Sequence, residues 1–393
     1  MGSIKRVLII GGGVAGPVLA IFLRKAGIDA LVFEASAGPN LGGAGLSIAT
    51  NGMRVLKAGG VLPPIDAASV RVRRWCFENQ DGKSLATIPE RADEPDLQPV
   101  LITRSALHKV VMDAALAAGA TIHFGKQLVA VDDVAGSVRA CFADGTSYYG
   151  DLMVGADGIR SQLRQCILPD APKPVYSGLS APGGFSPCIG GDSEAMHFRF
   201  GQSGFFGFSN IVTADGLRTM WWSTAKMPLP DPEEAARTSN EERKAKLLAL
   251  HRGWAEPVCG LIESAEQMMD IAIHDVPDLP QWSVGRVVLI GDAAHAVAPH
   301  SGQGASMALE DAMCLAKLLR DFNGRDVQEV LRAFERERRP RTDRVIEMGR
   351  KNGRHKEAMP PFAYWLMQQI MKIAIPLVRR KRQDWLLNYE IQW

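Results

Sequence analysis

The sequence predicts an α/β protein in which a parallel-sheet domain is interrupted by an inserted mixed sheet and followed by a C-terminal helical segment. Three observations indicate this arrangement. A strand, a glycine turn and a helix open the chain, an aromatic-rich block fills its middle, and a buried-strand pattern returns at "RVVLIGDAAH". At 393 residues the chain is longer than a single core usually allows, about 250 to 300 residues, so two intertwined domains are expected.

The first unit is a strand, a helix and a second strand within residues 4–34. Three glycines with G-x-G-x-x-G spacing follow the first apolar run: Gly11, Gly13 and Gly16. N–H groups and the dipole at the following helix start favour a pyrophosphate, which is typical of a Rossmann-like domain. Glu34 is placed to accept hydrogen bonds from a ribose hydroxyl, which favours FAD or NAD over NADP. A tight turn without a ligand is the alternative.

The elements predicted after residue 34 lead back to the first sheet. "LGGAGLSIATNG" (41–52) predicts an irregular loop ahead of a helix that ends near Lys57, and "SVRVRRWCF" predicts a strand. "ITRSALHKVVMDAALAAGA" predicts a helix capped by Ser105 and ended at Gly119. Residues 121–154 predict a small antiparallel set that leads into a buried strand.

The middle block, residues 176–275, has the pattern of an aromatic sheet. "AMHFRF", "GFFGFSNIV" and "LRTMWWSTA" predict strands, and a charged amphipathic helix is expected from about Glu241 to Trp254. Because the block lacks a phosphate-binding turn, we expect it to bind the substrate. The candidate wall residues are Phe206, Phe208, Met220 and Trp222. Since strand side chains alternate, at most one of Trp221 and Trp222 should face the substrate, and an ordinary aromatic core is the alternative.

The last strand of the first domain ends in a polar turn. Asp292 follows the strand, where its carboxylate could accept hydrogen bonds from a polyol, and Gly302, Gln303 and Gly304 lead into a helix that runs to about Phe322. The N–H groups at that helix start could hold an anion. A hydrolase built on Asp292 with His295 or His300 is excluded because no nucleophile elbow or metal-ligand set accompanies them.

Composition excludes several classes of protein. A net charge of +2, with no basic stripe interleaved with aromatic residues, argues against nucleic acid as a partner. The six cysteines lie far apart and predict reduced thiols in a cytoplasmic protein. No secretory signal or spanning helix is expected. Phe362 to Val378, followed by basic residues 379–382, could lie on a membrane surface, but a helix that covers the domain is the favoured interpretation.

Two further clusters stand between these elements. Arg104 follows the apolar "VLI" strand and could reach a phosphate. "GADGIRSQLR" places Asp157 after another apolar strand, where capping of a helix is the alternative to a role in binding.

Taken in order, the motifs resemble the class A flavoprotein monooxygenases, the p-hydroxybenzoate hydroxylase-like family. The order is G-x-G-x-x-G…E, G-A-G-L (43–46), Arg104, D-G-x-x-S-x-x-R (157–164) and G-D-A-A-H…P…G-Q-G (291–304). The resemblance covers residues 4 to about 345, including "FERERRPR" (334–341). It implies an FAD-binding domain of residues 1–70, 100–175 and 276–355, a substrate domain of residues 71–99 and 176–275, and a C-terminal helical segment of residues 356–393.

The resemblance also implies a reaction and its site. NADH or NADPH would reduce FAD, O2 would form a flavin C4a-hydroperoxide, and a phenolic or polycyclic aromatic substrate would be hydroxylated, in a monomer or homodimer. The residues implied to contact FAD are Gly11, Gly13, Val14, Ala15, Gly16, Glu34, Ala35, Gly45, Leu46, Arg104, Leu128, Asp157, Asp292, Pro299, Gly302, Gln303, Gly304, Ala305 and Ser306.

Three residues are candidates for a part in the reaction itself. Pro299 would lie near the reactive carbon of the flavin, His300 would touch substrate or tune the pocket, and His197 would deprotonate a phenol. Ordinary surface or core positions are the alternatives for both histidines. Two other functions stay open, namely an FAD-dependent dehydrogenase or reductase without oxygen transfer, and a binding protein whose FAD is structural.

Overall fold

The fold is taken from a computed structural model that describes most of the chain: residues 4–39, 42–90, 94–134, 136–229, 231–322, 324, 326–354, 359–378 and 384–393. The strands are β1 Arg6–Ile10, β2 Asp29–Phe33, β3 Gly45–Ile48, β4 Ser69–Arg71, β5 Arg74–Asn79, β6 Ser84–Pro89, β7 Val100–Thr103, β8 Thr121–His123, β9 Leu128–Val134, β10 Ser137–Phe142, β11 Ser147–Gly150, β12 Leu152–Gly155, β13 Val175–Ser180, β14 Gly183–Pro187, β15 Ala195–Phe200, β16 Phe205–Thr213, β17 Gly216–Lys226, β18 Met268–Met269, β19 Ala272–Asp275, β20 Ser283–Val284 and β21 Val287–Leu289.

The helices are α1 Ala15–Lys25, α2 Thr50–Gly59, α3 Leu62–Ala67, α4 Arg104–Ala117, α5 Gln162–Ile167, α6 Pro232–Arg237, α7 Asn240–Leu250, α8 Val258–Ser264, α9 Asp292–His295, α10 Gly304–Arg320, α11 Val327–Arg354, α12 Pro361–Val378 and α13 Asp384–Leu387. Two short 3-10 turns, Pro95–Leu97 and Pro299–Ser301, complete the set. Over the ranges given above, no helix is both long and apolar enough to cross a membrane.

A six-stranded sheet forms the centre of the first domain, with strand order β20-β21-β12-β1-β2-β8. β1 pairs in parallel with β2 on one side and β12 on the other, so that Ile9 lies between Val32 and Val154. After their first residues these strands are apolar and buried, because both faces of the sheet are covered. α1 and α10 contribute to one core with the sheet, and Phe142 and Tyr148 of the β9–β11 sheet pack against Phe33.

The inserted sheet has nine strands, with the path β18-β14-β17-β16-β15-β5-β6 and with β13 and β19 attached beside it. One face of the inserted sheet packs toward β7, which belongs to a small sheet ordered β3-β7-β4. The opposite face is covered by α7 and α8. The α/β fold class predicted from the sequence, with a mixed sheet inserted into a parallel one, is therefore confirmed.

Some predicted elements differ from the observed ones. The stretch 41–52 contains strand β3, which pairs with β7 by four residues, so it is not wholly a loop. α4 is capped by Thr103, whose Oγ1 accepts from the Ala106 N–H, and not by Ser105. "TIHFG" was expected in the antiparallel set, but β8 extends the parallel sheet beside β2. β9, β10 and β11 form the antiparallel set.

α12 lies along β6 at the edge of the inserted sheet. Its contacts with the rest of the protein are made by one side of the helix. Tyr364 faces the sheet, where its hydroxyl donates to the Phe200 carbonyl and accepts from the Gln80 N–H. The opposite side carries large apolar side chains in water. The expectation of a helix that buries its apolar residues against the domain is thus wrong for half of α12. The basic residues 379–382 lie outside the described residues.

Candidate functional site

The first glycine turn leaves an open space over the N-terminus of α1. Gly11 has φ +109°, and a Cβ atom there would lie 2.3 Å from the Ala156 carbonyl oxygen. A Cβ at Gly16 would lie 2.0 Å from the Gly11 carbonyl oxygen, so this glycine permits close packing of helix on strand. A Cβ at Gly13, by contrast, would meet no atom within 4 Å. The turn therefore has room for a group as large as a pyrophosphate, beside Val14 and Ala15 at the helix start.

Glu34 is fixed at the end of β2 beside this space. Its Oε2 accepts from the Gly12 N–H at 2.8 Å, and its Oε1 accepts from the Ser36 N–H and hydroxyl. Burial opposes ionisation of Glu34, but the hydrogen bonds from Ser36 and Gly12 and the charge of His108 outweigh it, so the pKa is lowered. The carboxylate is thus ionised and keeps unused lone pairs for a ribose hydroxyl.

Sequence reasoning missed His108, which also borders the turn. It is buried on α4, and its Nε2 lies 2.7 Å from the Gly12 carbonyl oxygen. This contact ties α4 to the glycine turn. The only available signal was a polar residue on the apolar face of a predicted helix.

Asp292 and Arg104 lie on two other walls of the same cleft. Gly291 packs near α1, since a Cβ there would come within 3.7 Å of the Ala15 Cβ. The Asp292 side chain, next along the chain, is open to water. Surrounding protein still raises the pKa of the Asp292 carboxyl, an effect that His295 and the exposed Arg104 guanidinium oppose. An accessible carboxylate inside a cleft can accept hydrogen bonds from a polyol chain.

The loop before α10 forms the far end of the cleft. Gly302 has φ +63°, a left-handed conformation that suits glycine, after the 3-10 turn Pro299–Ser301. α10 starts at Gly304, has 17 residues and has no acidic residue in its first turn, which includes Ala305. The buried Ser306 hydroxyl accepts from the Ala49 N–H at 3.1 Å. The unpaired N–H groups at this helix start can therefore stabilise an anion.

A buried ion network supports that loop from behind. Asp311 on α10 accepts from the Gly291 N–H and from Arg338 Nε, and its Oδ2 lies 2.5 Å from His295 Nε2. Burial opposes ionisation of Asp311, but the charges of His295 and Arg338 lower its pKa to about 2. The network thus joins the Asp292 turn to α11.

The neighbouring acid, Glu310, extends this network to α2. It accepts two hydrogen bonds from Arg341 and one from the Asn51 amide, which also donates to Gln303 Oε1. Sequence reasoning missed Glu310, Asp311 and the two arginines. Their signal was the adjacent acids in "ALEDA", within an otherwise apolar helix, together with the arginines of "FERERRPR".

Asp157 acts as a cap, the alternative that the sequence left open. Its Oδ2 accepts from the Leu163 N–H at 3.0 Å and its Oδ1 accepts from the Ser161 hydroxyl at 2.6 Å. Both oxygens are therefore engaged within the start of α5. Its backbone N–H lies close to Gly11, so this segment borders the cleft through main-chain atoms.

The two faces of the inserted sheet separate the predicted wall residues. Met220 and Trp222 lie on the face toward β7, and a Cβ at Gly45 would lie 2.2 Å from the Met220 sulfur. Phe206 and Phe208 lie on the opposite face and pack against α7 and α8 together with Trp221. Strand alternation therefore turns Phe206 and Phe208 away from Met220 and Trp222, and a place for them in the substrate wall stays a prediction. Trp221 and Trp222 lie on opposite faces, so at most one of them can face the substrate, as expected from strand alternation.

His197 also lies on the outer face. Its ring stacks on Phe208 with centroids 4.5 Å apart, and its Nδ1 lies 3.0 Å from Glu78 Oε1. Arg199 donates to the other oxygen of Glu78 at 2.7 Å. The sheet therefore separates His197 from the face that carries Met220 and Trp222, which argues against a part for it as the substrate base.

The remaining candidates occupy the rim and the core. His300 turns toward α11, where a Cβ at Gly353 would lie 2.8 Å from its ring. Leu46 is partly buried at the start of β3, Ala35 is exposed after Glu34, and Leu128 is buried at the start of β9. The roles of these residues and of Pro299 stay predictions. Within the described ranges, no group of three potential ligands could hold a metal ion.

Comparisons with known proteins agree with this geometry. A family model described as "FAD binding domain" matches residues 5–348. The 3-amino-4-hydroxybenzoate 2-monooxygenase of Streptomyces platensis is 32% identical over 378 residues, which are 90% of this chain and 89% of that protein. The 2-heptyl-3-hydroxy-4(1H)-quinolone synthase of Pseudomonas aeruginosa is 30% identical over 377 residues, 96% of each chain. The fold is also similar to that of Klebsiella pneumoniae HpxO complexed with FAD and uric acid, with a TM-score of 0.84, 24% identity and coverage of 98% and 97%.

Proposed function

Since this chain belongs to the FAD binding domain family and is a monooxygenase of the aromatic hydroxylase type, we propose that it uses NADH or NADPH to insert one atom of O2 into a small, mostly apolar aromatic compound. The observation that carries the proposal is that the turn before Asp292 packs near the start of α1, beside the open space at Gly13, and that the exposed Arg104 guanidinium acts on the exposed Asp292 carboxylate.

The residues present fit FAD. The space over Gly13 suits the pyrophosphate, with Arg104 available to the phosphates, Glu34 to the adenosine ribose and Asp292 to the ribityl chain. When bound, FAD supplies the redox chemistry, taking up a hydride equivalent and activating O2. The turn from Gly302 to Ser306 would hold the pyrimidine edge, where the N–H groups of α10 favour negative charge.

The wall of the inserted sheet suits an apolar ring. Met196, Met220 and Trp222, with Phe198 beside them, form an apolar cluster on the face toward β7. This cluster excludes water from the space next to the cleft, and dry surroundings limit side reactions. The apolar character of these side chains favours a mostly apolar aromatic ring.

A screen of substrates tests the proposal. The purified holoenzyme is mixed with NADH or NADPH and with neutral quinolones, simple phenols or hydroxybenzoates, while NAD(P)H oxidation and O2 uptake are recorded together. We expect a mostly apolar aromatic to stimulate both and to gain one oxygen atom, which is labelled when 18O2 is supplied.

The same assay separates the alternative. A dehydrogenase would oxidise its substrate without O2 when an artificial electron acceptor is present, and its product would gain no label. That result would overturn the proposed oxygen transfer. A preference for hydroxybenzoates would overturn only the mostly apolar substrate class.

A further inference from the structure

α12 presents an outer stripe of apolar side chains to water. The stripe consists of Phe362, Trp365, Leu366, Ile370 and Ile373, which are 73%, 54%, 42%, 54% and 66% exposed. Positions 362, 366, 370 and 373 recur at helical spacing and so lie on one face, with Trp365 beside Phe362 at a ring-centroid distance of 6.1 Å. A continuous apolar surface of this kind in water indicates a binding surface.

The inner side of α12 fixes its orientation. Tyr364 is only 7% exposed and its hydroxyl bridges the Phe200 carbonyl and the Gln80 N–H. Gln368 on the same side accepts from the Asn79 amide at 3.3 Å. Because these contacts hold the opposite face, the outer stripe cannot turn inward without breaking them.

The sequence that contains α12 is basic. Residues 359–383 contain no Asp or Glu but carry five basic residues: Lys372, Arg379, Arg380, Lys381 and Arg382. The whole chain has a net charge of only +2. The basic excess is therefore local, and four of these residues follow the helix directly in the sequence.

We propose that α12 lies flat on an anionic lipid bilayer, with the outer stripe in the headgroup region, and that the basic excess of this stretch of the sequence attracts it to the bilayer. A helix of 18 residues with an apolar face and neighbouring lysines and arginines has the composition of an interfacial helix. Trp365 is of the residue type that favours the membrane–water interface. A second copy of the chain fits less well, since it would carry the same basic excess and supply no opposite charge.

Vesicle co-sedimentation of the FAD-loaded protein tests this, without substrate or NAD(P)H. Vesicles of phosphatidylcholine alone are compared with vesicles that also contain phosphatidylserine. The first variant, Trp365→Ser with Ile370→Ser and Ile373→Ser, removes part of the stripe. The second, Arg379→Gln, Arg380→Gln, Lys381→Gln and Arg382→Gln, removes charge. A matched control, Leu116→Ser with Val175→Ser, changes side chains that are 53% and 56% exposed elsewhere.

We expect the unchanged protein and the control to bind the anionic vesicles, and salt to weaken that binding. The charge variant should lose on the order of a thousandfold in affinity, and the stripe variant at least about tenfold. The flavin absorbance and the melting temperature of each variant report whether it is folded.

Three results would overturn the proposal. The unchanged protein could fail to bind phosphatidylserine vesicles, or the control could lose binding as much as the stripe variant. Light scattering could instead show a dimer that the stripe variant abolishes, which would assign the surface to a second copy. Aromatic hydroxylation is measured separately in solution, so its failure would leave this result unchanged.

Discussion

Three glycines in the first turn differ in what an added methyl group would touch. At Gly11 and Gly16 a Cβ would overlap backbone carbonyl atoms, at 2.3 Å and 2.0 Å. At Gly13 it would enter empty space over the start of α1. The same residue type therefore serves the fold at two positions and leaves room for a ligand at the third.

Gly13→Val should separate binding from folding. Because a side chain at residue 13 would project into the space assigned to the pyrophosphate, FAD affinity should fall by at least about tenfold. The melting temperature of the FAD-free protein should change little. Gly16→Val is the matched control and should destabilise the fold itself, since it meets the Gly11 carbonyl. FAD titration and thermal unfolding of both variants measure the difference. If the Gly13→Val variant were purified yellow and with FAD at every site, the assignment of this space to the pyrophosphate would be contradicted.

His197→Ala should leave the reaction intact. His197 pairs with Glu78 and stacks on Phe208 on the face of the sheet away from the cleft. Turnover and its pH dependence should therefore match those of the unchanged protein, with a loss of stability of about 1 kcal/mol. A fall in turnover with a changed pH–rate profile would return His197 to the mechanism.

At the scale of elements, α10 is the centre of the cofactor domain. Its first turn borders the cleft, while Glu310 and Asp311 pair with arginines of α11, and Glu310 also reaches α2. Arg338 is fully buried between the two acids. Removing one acid leaves the buried positive charge only partly compensated, which costs more than the pair itself contributes.

Asp311→Asn should therefore be among the most destabilising single changes on α10. We expect a loss of about 3 to 5 kcal/mol in the free energy of unfolding. Asp321→Asn is the matched control because Asp321, after the same helix, pairs with Arg320 at the exposed surface, and it should cost less than about 1 kcal/mol. Urea unfolding at neutral pH measures both, and equal effects would contradict the role of the buried network.

The ionisation of Asp311 should also make the free energy of unfolding depend on pH. The pKa of Asp311 is lowered to about 2, below the ordinary value of about 3.9. Its ionised form thus stabilises the fold above about pH 4, and that contribution is lost as the pH falls toward about 2. As the pH falls from about 4 to about 2, the free energy of unfolding should therefore decline less steeply in the Asp311→Asn variant than in the unchanged protein.

At the scale of the whole molecule, local patterns predicted the first domain well. The G-x-G-x-x-G turn, Glu34 and the strand before Asp292 depend on neighbours in sequence, and each was expected before the structure. The face to which Phe208 and His197 point depends on which layer covers each side of the inserted sheet. The Glu310–Arg341 and Asp311–Arg338 pairs join residues 31 and 27 positions apart, so no local pattern could assign them.

The neighbouring residues Trp221 and Trp222 lie on opposite faces of the inserted sheet, and we expect one to stabilise the fold and the other to affect the reaction. Trp221 is buried with Phe206 under α7 and α8, and its Nε1 donates to the Ser186 hydroxyl at 2.9 Å. Trp222 lies on the other face, flat against Gly207, where a Cβ would come within 2.3 Å of the ring. One side chain therefore completes a core and the other lines the apolar wall near the cleft.

Leucine at each position should give opposite results. Trp221→Leu should cost about 3 kcal/mol in stability but leave the yield of hydroxylated product per NAD(P)H unchanged in the folded fraction. Trp222→Leu should cost less stability and lower that yield, because the smaller side chain opens the wall to water and more of the reducing equivalents end as hydrogen peroxide. Product, peroxide and NAD(P)H are counted in one reaction mixture, and melting temperatures are recorded in parallel. If Trp221→Leu lowered the yield while Trp222→Leu did not, the substrate would lie on the face of the sheet under α7 and α8.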